Sequence, residues 1–261
     1  MRPNATRGKL ASGDAVAGLI VPVAAPVLVD LAALAGFDYV LIDSEHGHVG
    51  FEAAEHLVRA AEAAGVTPLV RASHNAPSEI LRLLDIGAQG VMVPQIGSAA
   101  DAEAAVRSVK FHPRGNRGLA SSRAADYGLT DSMENYVTHA NRETMVLALI
   151  EDIRAVDNFE AILAIDGVDV VFIGASDLAQ SMGYPGRPDH PKVRVAIDRI
   201  IDQGVAASRI VGVNAATAEA AASYYQRGVR FFSLSPWHQV VEIWRNYVTT
   251  LAGQPAVDDG N

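Results

Sequence analysis

The chain has 261 residues, with 21 Lys plus Arg against 30 Asp plus Glu, and its formal net charge is −9. Hydrophobic residues make up 49% of the chain, which is enough to bury a sizeable α/β core and excludes intrinsic disorder. The negative charge argues against nucleic acid or an anionic membrane surface as the partner, because both bind cationic faces, and it favours small-molecule chemistry.

Short apolar runs alternate with Ala-rich segments of helical period, a pattern that predicts repeated βα units around a parallel sheet. The predicted strands are Ala17–Val21, Tyr39–Asp43, Thr67–Arg71, Gly90–Pro94, Met145–Glu151, Val168–Gly174, Ile210–Val213 and Arg230–Leu234. The predicted helices are Pro26–Ala35, Ala53–Ala64, Ser78–Ile86, Ala100–Val109, Ala155–Ala164, Val193–Asp202, Ala216–Arg227 and Trp237–Leu251.

Eight such pairs predict a (β/α)8 TIM barrel, as a single domain over residues 1–252 followed by a polar tail at 253–261. An open doubly wound sheet is the alternative. No G-x-G-x-x-G turn follows a strand, so no nucleotide cofactor is expected. The repeat is interrupted between Phe111 and Arg142, which predicts a long structured loop of the kind that often carries function.

The absence of cysteine excludes disulfides, thiolate zinc sites and cysteine nucleophiles. The lysines are Lys9, Lys110 and Lys192, and none of them ends a predicted strand, so a Schiff-base mechanism is not expected. No apolar run reaches the roughly 18–20 residues that span a bilayer, and the segment 1–12 lacks a signal-peptide pattern. A cytoplasmic protein is therefore expected.

Polar residues end several predicted strands, and in a barrel the carboxyl ends of the strands share one mouth. The strand ends that carry them are Asp43–His48, Arg71, Pro94–Gln95, Glu151–Asp152, Gly174–Asp177 and Asn214. Paired carboxylates at Glu151 and Asp177 suit Mg²⁺ or Mn²⁺. Each residue also has a structural interpretation: the two carboxylates as helix caps, and Arg71 as an ion-pair partner. A histidine-based zinc site is disfavoured, because such sites need further histidines and a lysine at a strand end.

Several of these residues stand in segments that follow one another in a familiar order between about residue 16 and residue 236. The segments are Gly36–Gly47, Pro68–Arg71, Val91–Pro94, Pro113–Gly118, Ile150–Glu151 and Val171–Leu178. Together they resemble the HpcH/HpaI family of class II pyruvate aldolases.

The resemblance implies a TIM barrel modified by exchange of its last helix with a neighbour, assembled as a trimer of dimers, that is, a homohexamer. It implies Mg²⁺, Mn²⁺ or Co²⁺ bound by Glu151 and Asp177. The implied reaction is the reversible cleavage of 4-hydroxy-2-oxo acids to pyruvate, or hydroxypyruvate, and an aldehyde through a metal-stabilised enolate. The implied partners are therefore a small 2-oxo acid and an aldehyde.

The resemblance also implies roles for single residues. Arg71 would face the oxygen on which enolate charge develops, and His46, oriented by Asp43, would move the proton of the C4 hydroxyl. Glu45 is a further candidate, for orienting a metal-bound water. The backbone amides that would hold the donor carboxylate are those of Gly174, Ser176 and Asp177.

Arginines in the long loop are candidates for binding an anionic aldehyde, with a solvated or intersubunit position as the alternative. They are Arg114, Arg117 and Arg123.

Three positions depart from the family pattern and bear on the donor or acceptor. Leu149 stands where glutamine is common, Gly174–Asp177 reads Gly-Ala-Ser-Asp in place of Gly-Pro-Ala-Asp, and Ser235–Trp237 stands where an aspartate is common.

Two other functions compete with the aldolase prediction. An acyl-CoA lyase similar to the citrate lyase β subunit would need cationic residues for the CoA phosphates, which the acidic composition disfavours. A non-catalytic barrel would be favoured by loss of the candidate set, and all of that set is present. The set is His46, Arg71, Glu151 and Asp177.

Overall fold

The computed structural model describes residues 2–252, and the predicted polar tail at 253–261 lies outside the described residues. Eight parallel strands follow one another around a closed barrel, and β8 pairs with β1 through the register Val16↔Phe231. The predicted (β/α)8 barrel is confirmed and the open sheet is wrong. The strands are β1 (Val16–Val21), β2 (Tyr39–Asp43), β3 (Thr67–Arg71), β4 (Gly90–Val93), β5 (Met145–Ile150), β6 (Val170–Ile173), β7 (Ile210–Asn214) and β8 (Phe231–Leu234).

Helices precede, connect and follow the strands, and most of them cover the outside of the barrel. They are α1 (Ala5–Ala11), α2 (Pro26–Leu34), α3 (Phe51–Ala64), α4 (Pro77–Asp85), α5 (Ala99–Val109), α6 (Met133–Glu143), α7 (Ile153–Asp157), α8 (Phe159–Leu163), α9 (Ala175–Ser181), α10 (Pro191–Ala206), α11 (Ala218–Gln226) and α12 (Pro236–Ala252). Residues 2–252 contain no helix with the length and apolarity that crossing a lipid bilayer requires.

The observed helices differ from the prediction in two ways. The helix predicted over Ala155–Ala164 is the pair α7 and α8, because the backbone leaves the helical region at Asn158, whose side-chain amide donates to the Gly97 carbonyl at 3.0 Å. Sequence reasoning missed α1, α6 and α9. The first two begin at side-chain caps, since Asn4 accepts from the amide of Arg7 and Ser132 accepts from that of Asn135.

The long interruption lies between α5 and β5, so it packs at the amino ends of the strands, opposite the mouth. Lys110 is buried beneath it and donates to the carbonyl oxygens of Asn141, at 3.0 Å, and Thr144, which satisfies the carboxyl end of α6. Burial lowers the pKa of this lysine to about 8. The one buried lysine of the described chain thus lies far from the strand ends where a Schiff base would be needed.

Large side chains fill the inside of the barrel, so it is a packed core and not a pore. They form one cluster whose main members are Tyr39, Leu41, Leu69, Met92, Leu147, Leu149, Phe172 and Phe231. The Tyr39 hydroxyl donates to the carbonyl of Phe232 at 2.7 Å. Glycine is required at Gly18, because a Cβ there would lie 2.1 Å from a carbon of the Tyr39 ring.

Replacing Gly18 by alanine is expected to destabilise the barrel, since the added methyl group overlaps the buried Tyr39 ring. We expect the free energy of unfolding in urea to fall by about 1–3 kcal/mol, the usual range for overpacked cores. Gly8→Ala in α1 is the control, because a Cβ there meets nothing within 4 Å. That variant should be unchanged or more stable by up to about 1 kcal/mol. Equal losses in the two variants would contradict the packing argument.

Candidate active site

A cavity of about 540 Å³ opens at the carboxyl ends of the strands. Strands β2, β3, β5 and β6, with the segments that follow them, supply its carboxylate, histidine and arginine side chains. The predicted site residues among its lining are Asp43, His46, Arg71, Glu151, Gly174, Ser176 and Asp177. Closure of the barrel therefore brings together residues that are far apart in the sequence.

A bidentate salt bridge joins Asp43 and Arg71, which are paired in the β2–β3 register. Arg71 Nε donates to Asp43 Oδ1 at 2.9 Å and Nη2 donates to Oδ2 at 2.5 Å, with only 15% and 4% of the side chains exposed. A planar guanidinium bound in this way has little freedom to rotate. Burial by itself raises the pKa of Asp43, but the Arg71 guanidinium and two backbone amides bring it below its usual range.

The predicted orientation of the His46 ring by Asp43 is corrected by the structure. Asp43 accepts hydrogen bonds from the backbone amides of Glu45 and His46, each at 3.1 Å, and from Arg71, so it orients the loop and not the imidazole. The His46 ring faces Asp177 instead, with 3.8 Å between Nε2 and Oδ2. Its side chain is 59% exposed and stands at the opening of the cavity.

Glycine shapes the loop that carries His46. A Cβ at Gly47 would lie 2.2 Å from the carbonyl oxygen of Asp43 and 2.8 Å from that of Pro22. Because Gly47 has no side chain, the loop can pass close to the end of β1. There the backbone amide of His48 donates to the carbonyl oxygen of Pro22 at 2.8 Å. His48 thus contributes to the loop through its backbone.

Glu151 is a buried carboxylate directly after β5. Its Oε1 accepts from the backbone amide of Gln95 at 2.8 Å, and Gln95 adopts the left-handed backbone conformation, with φ 59°, that a side chain disfavours. Burial raises the pKa of Glu151 to about 7, and repulsion by Glu45 and Asp177 adds to the effect. Sequence reasoning missed the role of Gln95, although its place after the fourth strand was a signal.

Asp177 lies in the first turn of α9, its side chain is 48% exposed, and its charge helps to raise the pKa of Glu151. Among residues 2–252 no group of three or more His, Asp or Glu side chains is arranged to hold a metal ion. Two carboxylates still fit a hard divalent cation, which takes its other oxygens from water and substrate. Their mutual repulsion, with the raised pKa of Glu151, favours a cation between them.

The structure does not bring the arginines of the long loop to the cavity of their own chain. Arg117 is buried, donates to Asp85 at 2.8 Å and to the Tyr136 hydroxyl at 3.2 Å, and stacks on Phe111. The remaining two also bind their own chain near the amino ends of the strands: Arg123 donates to Glu62 and to the Ile86 carbonyl, and Arg114 donates to the Asn141 carbonyl. The aldehyde-binding prediction is corrected for this cavity, because the loop joins a helix to the next strand and so lies opposite the mouth.

Comparison with known proteins agrees with this geometry. The sequence profile of a family described as HpcH/HpaI aldolase/citrate lyase matches residues 17–235. The chain belongs to the HpcH/HpaI family. The predicted family is thus confirmed, as is the prediction of a carbon–carbon lyase.

Individual HpcH/HpaI members match over most of their length. A hydroxypyruvate/pyruvate aldolase from Pseudomonas aeruginosa is 36% identical over 233 residues, 88% of this chain and 86% of the relative. A 4-hydroxy-2-oxo-heptane-1,7-dioate aldolase from Salmonella heidelberg is also 36% identical over 233 residues, 88% of each. The crystal structure of an HpcH/HpaI aldolase/citrate lyase family protein from Burkholderia cenocepacia has a TM-score of 0.89 at 32% identity, covering 95% of this chain and 99% of that one.

The raised pKa of Glu151 predicts that metal-free protein loses stability as the pH rises. The native carboxyl holds its proton up to about pH 7, whereas the unfolded one releases it near pH 4.3, so stability present below pH 4 is lost as the pH rises toward 7. In Glu151→Gln we expect the difference in free energy of unfolding between pH 4 and pH 8, measured in chelator, to shrink by roughly 1–3 kcal/mol.

Glu160→Gln is the control for this measurement, because Glu160 is an exposed carboxylate on α8. It should reproduce the wild-type pH dependence. The same pH dependence in all three proteins would show that Glu151 ionises normally.

Proposed function

We propose that this protein is a divalent-metal-dependent class II aldolase that reversibly cleaves 4-hydroxy-2-oxo acids to pyruvate, or hydroxypyruvate, and an aldehyde. The observation that carries the proposal is one cavity that holds the carboxylate pair Glu151 and Asp177 beside a fixed Arg71 and an exposed His46. The names of the two bacterial relatives support the same reaction class.

The cation, Mg²⁺, Mn²⁺ or Co²⁺, would be held by Glu151 and Asp177 and would supply positive charge for the oxygens of the 2-oxo acid. The backbone of Gly174, Ser176 and Asp177 lines the same part of the cavity and would hold the donor carboxylate. The two acidic side chains would then be matched by positive charge.

Arg71 stabilises the negative charge that develops on the C2 oxygen when the bond between C3 and C4 breaks. Its guanidinium is already aligned by Asp43, so little reorganisation is needed as the charge forms. Glu45, with Oε2 3.4 Å from Arg71 Nη1, holds the guanidinium from another side.

His46 moves the proton. In cleavage it takes the proton of the C4 hydroxyl, the C4 oxygen becomes the aldehyde carbonyl, and the electron pair of the C3–C4 bond passes to the enolate. Transfer of that proton from His46 to C3 then gives pyruvate and restores the neutral histidine. Condensation reverses these steps, so C3 attacks the aldehyde carbon and His46 returns the proton to its oxygen. An imidazole can both accept and donate a proton, so the same side chain can serve in both directions.

The acyl-CoA alternative receives less support from the cavity. Arg71 is the only Arg or Lys among its described lining residues, and Asp43 and Glu45 already engage it. The phosphates of a CoA ester would find little cationic surface there.

Exchange of the C3 protons of pyruvate for deuterium tests the enolate half-reaction without an aldehyde. We expect exchange in Mg²⁺, its loss in chelator, and a decrease of at least about 100-fold in Glu151→Gln and in Asp177→Asn, because each removes a cation ligand. Glu160→Gln and Asp30→Asn, two exposed carboxylates of the outer helices, are the matched controls. Wild-type exchange in either site variant would falsify the assignment of the metal pair.

We also propose that α12 is exchanged between two copies of this chain, within a trimer of dimers. Only Pro236 of the helix is buried, while Trp244 and Tyr247 are 66% and 68% exposed. A groove of about 490 Å³ beside β1, β8 and α11 is lined by apolar residues such as Phe37 and Phe232, at the place where the eighth helix of a barrel packs. The exposed helix of a second copy would fill it.

Trp244→Glu is expected to reduce the oligomer to smaller species, because it puts a charge on the exchanged helix. Val195→Glu on α10 is the matched control, since Val195 is 68% exposed and lies elsewhere. Light scattering after gel filtration should show a lower mass for the first variant only. An unchanged mass in Trp244→Glu would contradict the exchange.

A further inference from the structure

The two carboxylates of the candidate cation site stand on neighbouring elements of the barrel. Glu151 directly follows β5, and Asp177 lies in the first turn of α9, the helix after β6. The register Ile150↔Ile173 places Glu151 beside Gly174, where a Cβ would lie only 2.8 Å from the Cβ of Glu151. Strand pairing therefore fixes where the two segments begin, but it does not fix the rotation of α9 about its own axis.

Ser181 joins the segment after Glu151 to the helix that carries Asp177. Its hydroxyl oxygen accepts a hydrogen bond from the backbone amide of Ile153 at 2.9 Å. Ser181 and Asp177 are four residues apart on α9, so they lie on the same face of the helix, one turn from each other. The contact with Ile153 therefore turns the face that carries Asp177 toward the segment that carries Glu151.

Asn158 supports Glu151 from the other side, through the loop between β4 and α5. Its side-chain amide donates to the carbonyl oxygen of Gly97 at 3.0 Å, and the backbone amide of Gly97 donates to Asp101 at 3.2 Å. Two residues before Gly97 lies Gln95, whose amide binds Glu151 and whose left-handed backbone must be held by its surroundings. The helix break at Asn158 thus places a side chain where it fixes the loop that binds Glu151.

We propose that Ser181 and Asn158 are positioning residues for the divalent cation. Neither is among the described residues that line the cavity, so each acts through the backbone that carries a carboxylate or its hydrogen-bond donor. Two carboxylates repel each other, and contacts that hold them together before the cation arrives increase its affinity. This inference rests on the proposed aldolase function and extends its cation site to residues outside the cavity.

The affinity for Mn²⁺ tests the proposal on the full chain without substrate, with the free ion measured by electron paramagnetic resonance. In Ser181→Ala and in Asn158→Ala we expect the Kd for Mn²⁺ to rise by about 3- to 10-fold, as loss of one hydrogen bond between uncharged groups predicts. Ser181→Thr keeps the hydroxyl group and should bind Mn²⁺ as the wild type does.

Ser12→Ala and Asn135→Ala are the matched controls, because each removes one hydrogen bond of an exposed side chain away from the mouth. Ser12 donates to the carbonyl oxygen of Gly8 at 3.3 Å, and Asn135 donates to Asp131 at 2.7 Å. Both controls should keep the wild-type Kd. Wild-type affinity in Ser181→Ala or in Asn158→Ala would overturn the role of that residue, and equal weakening in the controls would overturn the proposal as a whole.

Two further proteins, the wild type and Glu151→Gln, separate this proposal from the function on which it rests. If the wild type binds Mn²⁺ and Glu151→Gln loses it, an unchanged Kd in Ser181→Ala and Asn158→Ala overturns the positioning roles alone. If the wild type does not bind Mn²⁺, or Glu151→Gln binds it equally well, the cation site and the positioning roles fail together.

Discussion

The pair between Asp43 and Arg71 is the contact on which the arrangement of the mouth depends. The register of β2 with β3 sets the two residues side by side, so strand pairing brings the two charges together. Asp43 also accepts from the amides of Glu45 and His46. One buried carboxylate therefore aligns the guanidinium and the loop that carries the histidine, and both depend on strand pairing and not on flexible loops.

The acidic side of the mouth lowers the stability of the metal-free protein. Glu151 is buried next to like charges, and the amide that it accepts from belongs to Gln95 in a left-handed conformation. Such local losses of folding stability are typical of ligand-binding sites. The packed core of the barrel offsets them. A bound cation would offset the burial and the like charges that disfavour the ionised form of Glu151.

Charged residues stabilise the fold at the amino end of the barrel, whereas those at the carboxyl end are accessible to a ligand. At the amino end, Arg117 is buried, donates to Asp85 and to the Tyr136 hydroxyl, and stacks on Phe111. Lys110 caps the carboxyl end of α6. At the carboxyl end, Asp177 and His46 are half exposed and remain accessible to a ligand. The same residue types thus have opposite roles, depending on the end of the strands at which they lie.

The amino-acid sequence by itself determined the barrel and the identity of the candidate groups. Hydrophobic periodicity located all eight strands with ends that differ by at most two residues, and polar residues at their carboxyl ends, such as Glu151 and Arg71, identified the mouth. The spacing of apolar residues and the order of the strands are properties of the sequence itself, so both can be predicted without the tertiary structure. The sequence also contains the information that the long loop lies at the amino ends of the strands, because a helix precedes the loop and a strand follows it.

Only the tertiary structure decided which groups meet. It paired Asp43 with Arg71, turned the His46 ring toward Asp177, buried Arg117 against Asp85 and left most of α12 exposed. Side-chain partners depend on strand register, on the curvature of the closed sheet and on competition among nearby donors. These are relations between distant segments, and no single stretch of sequence contains them.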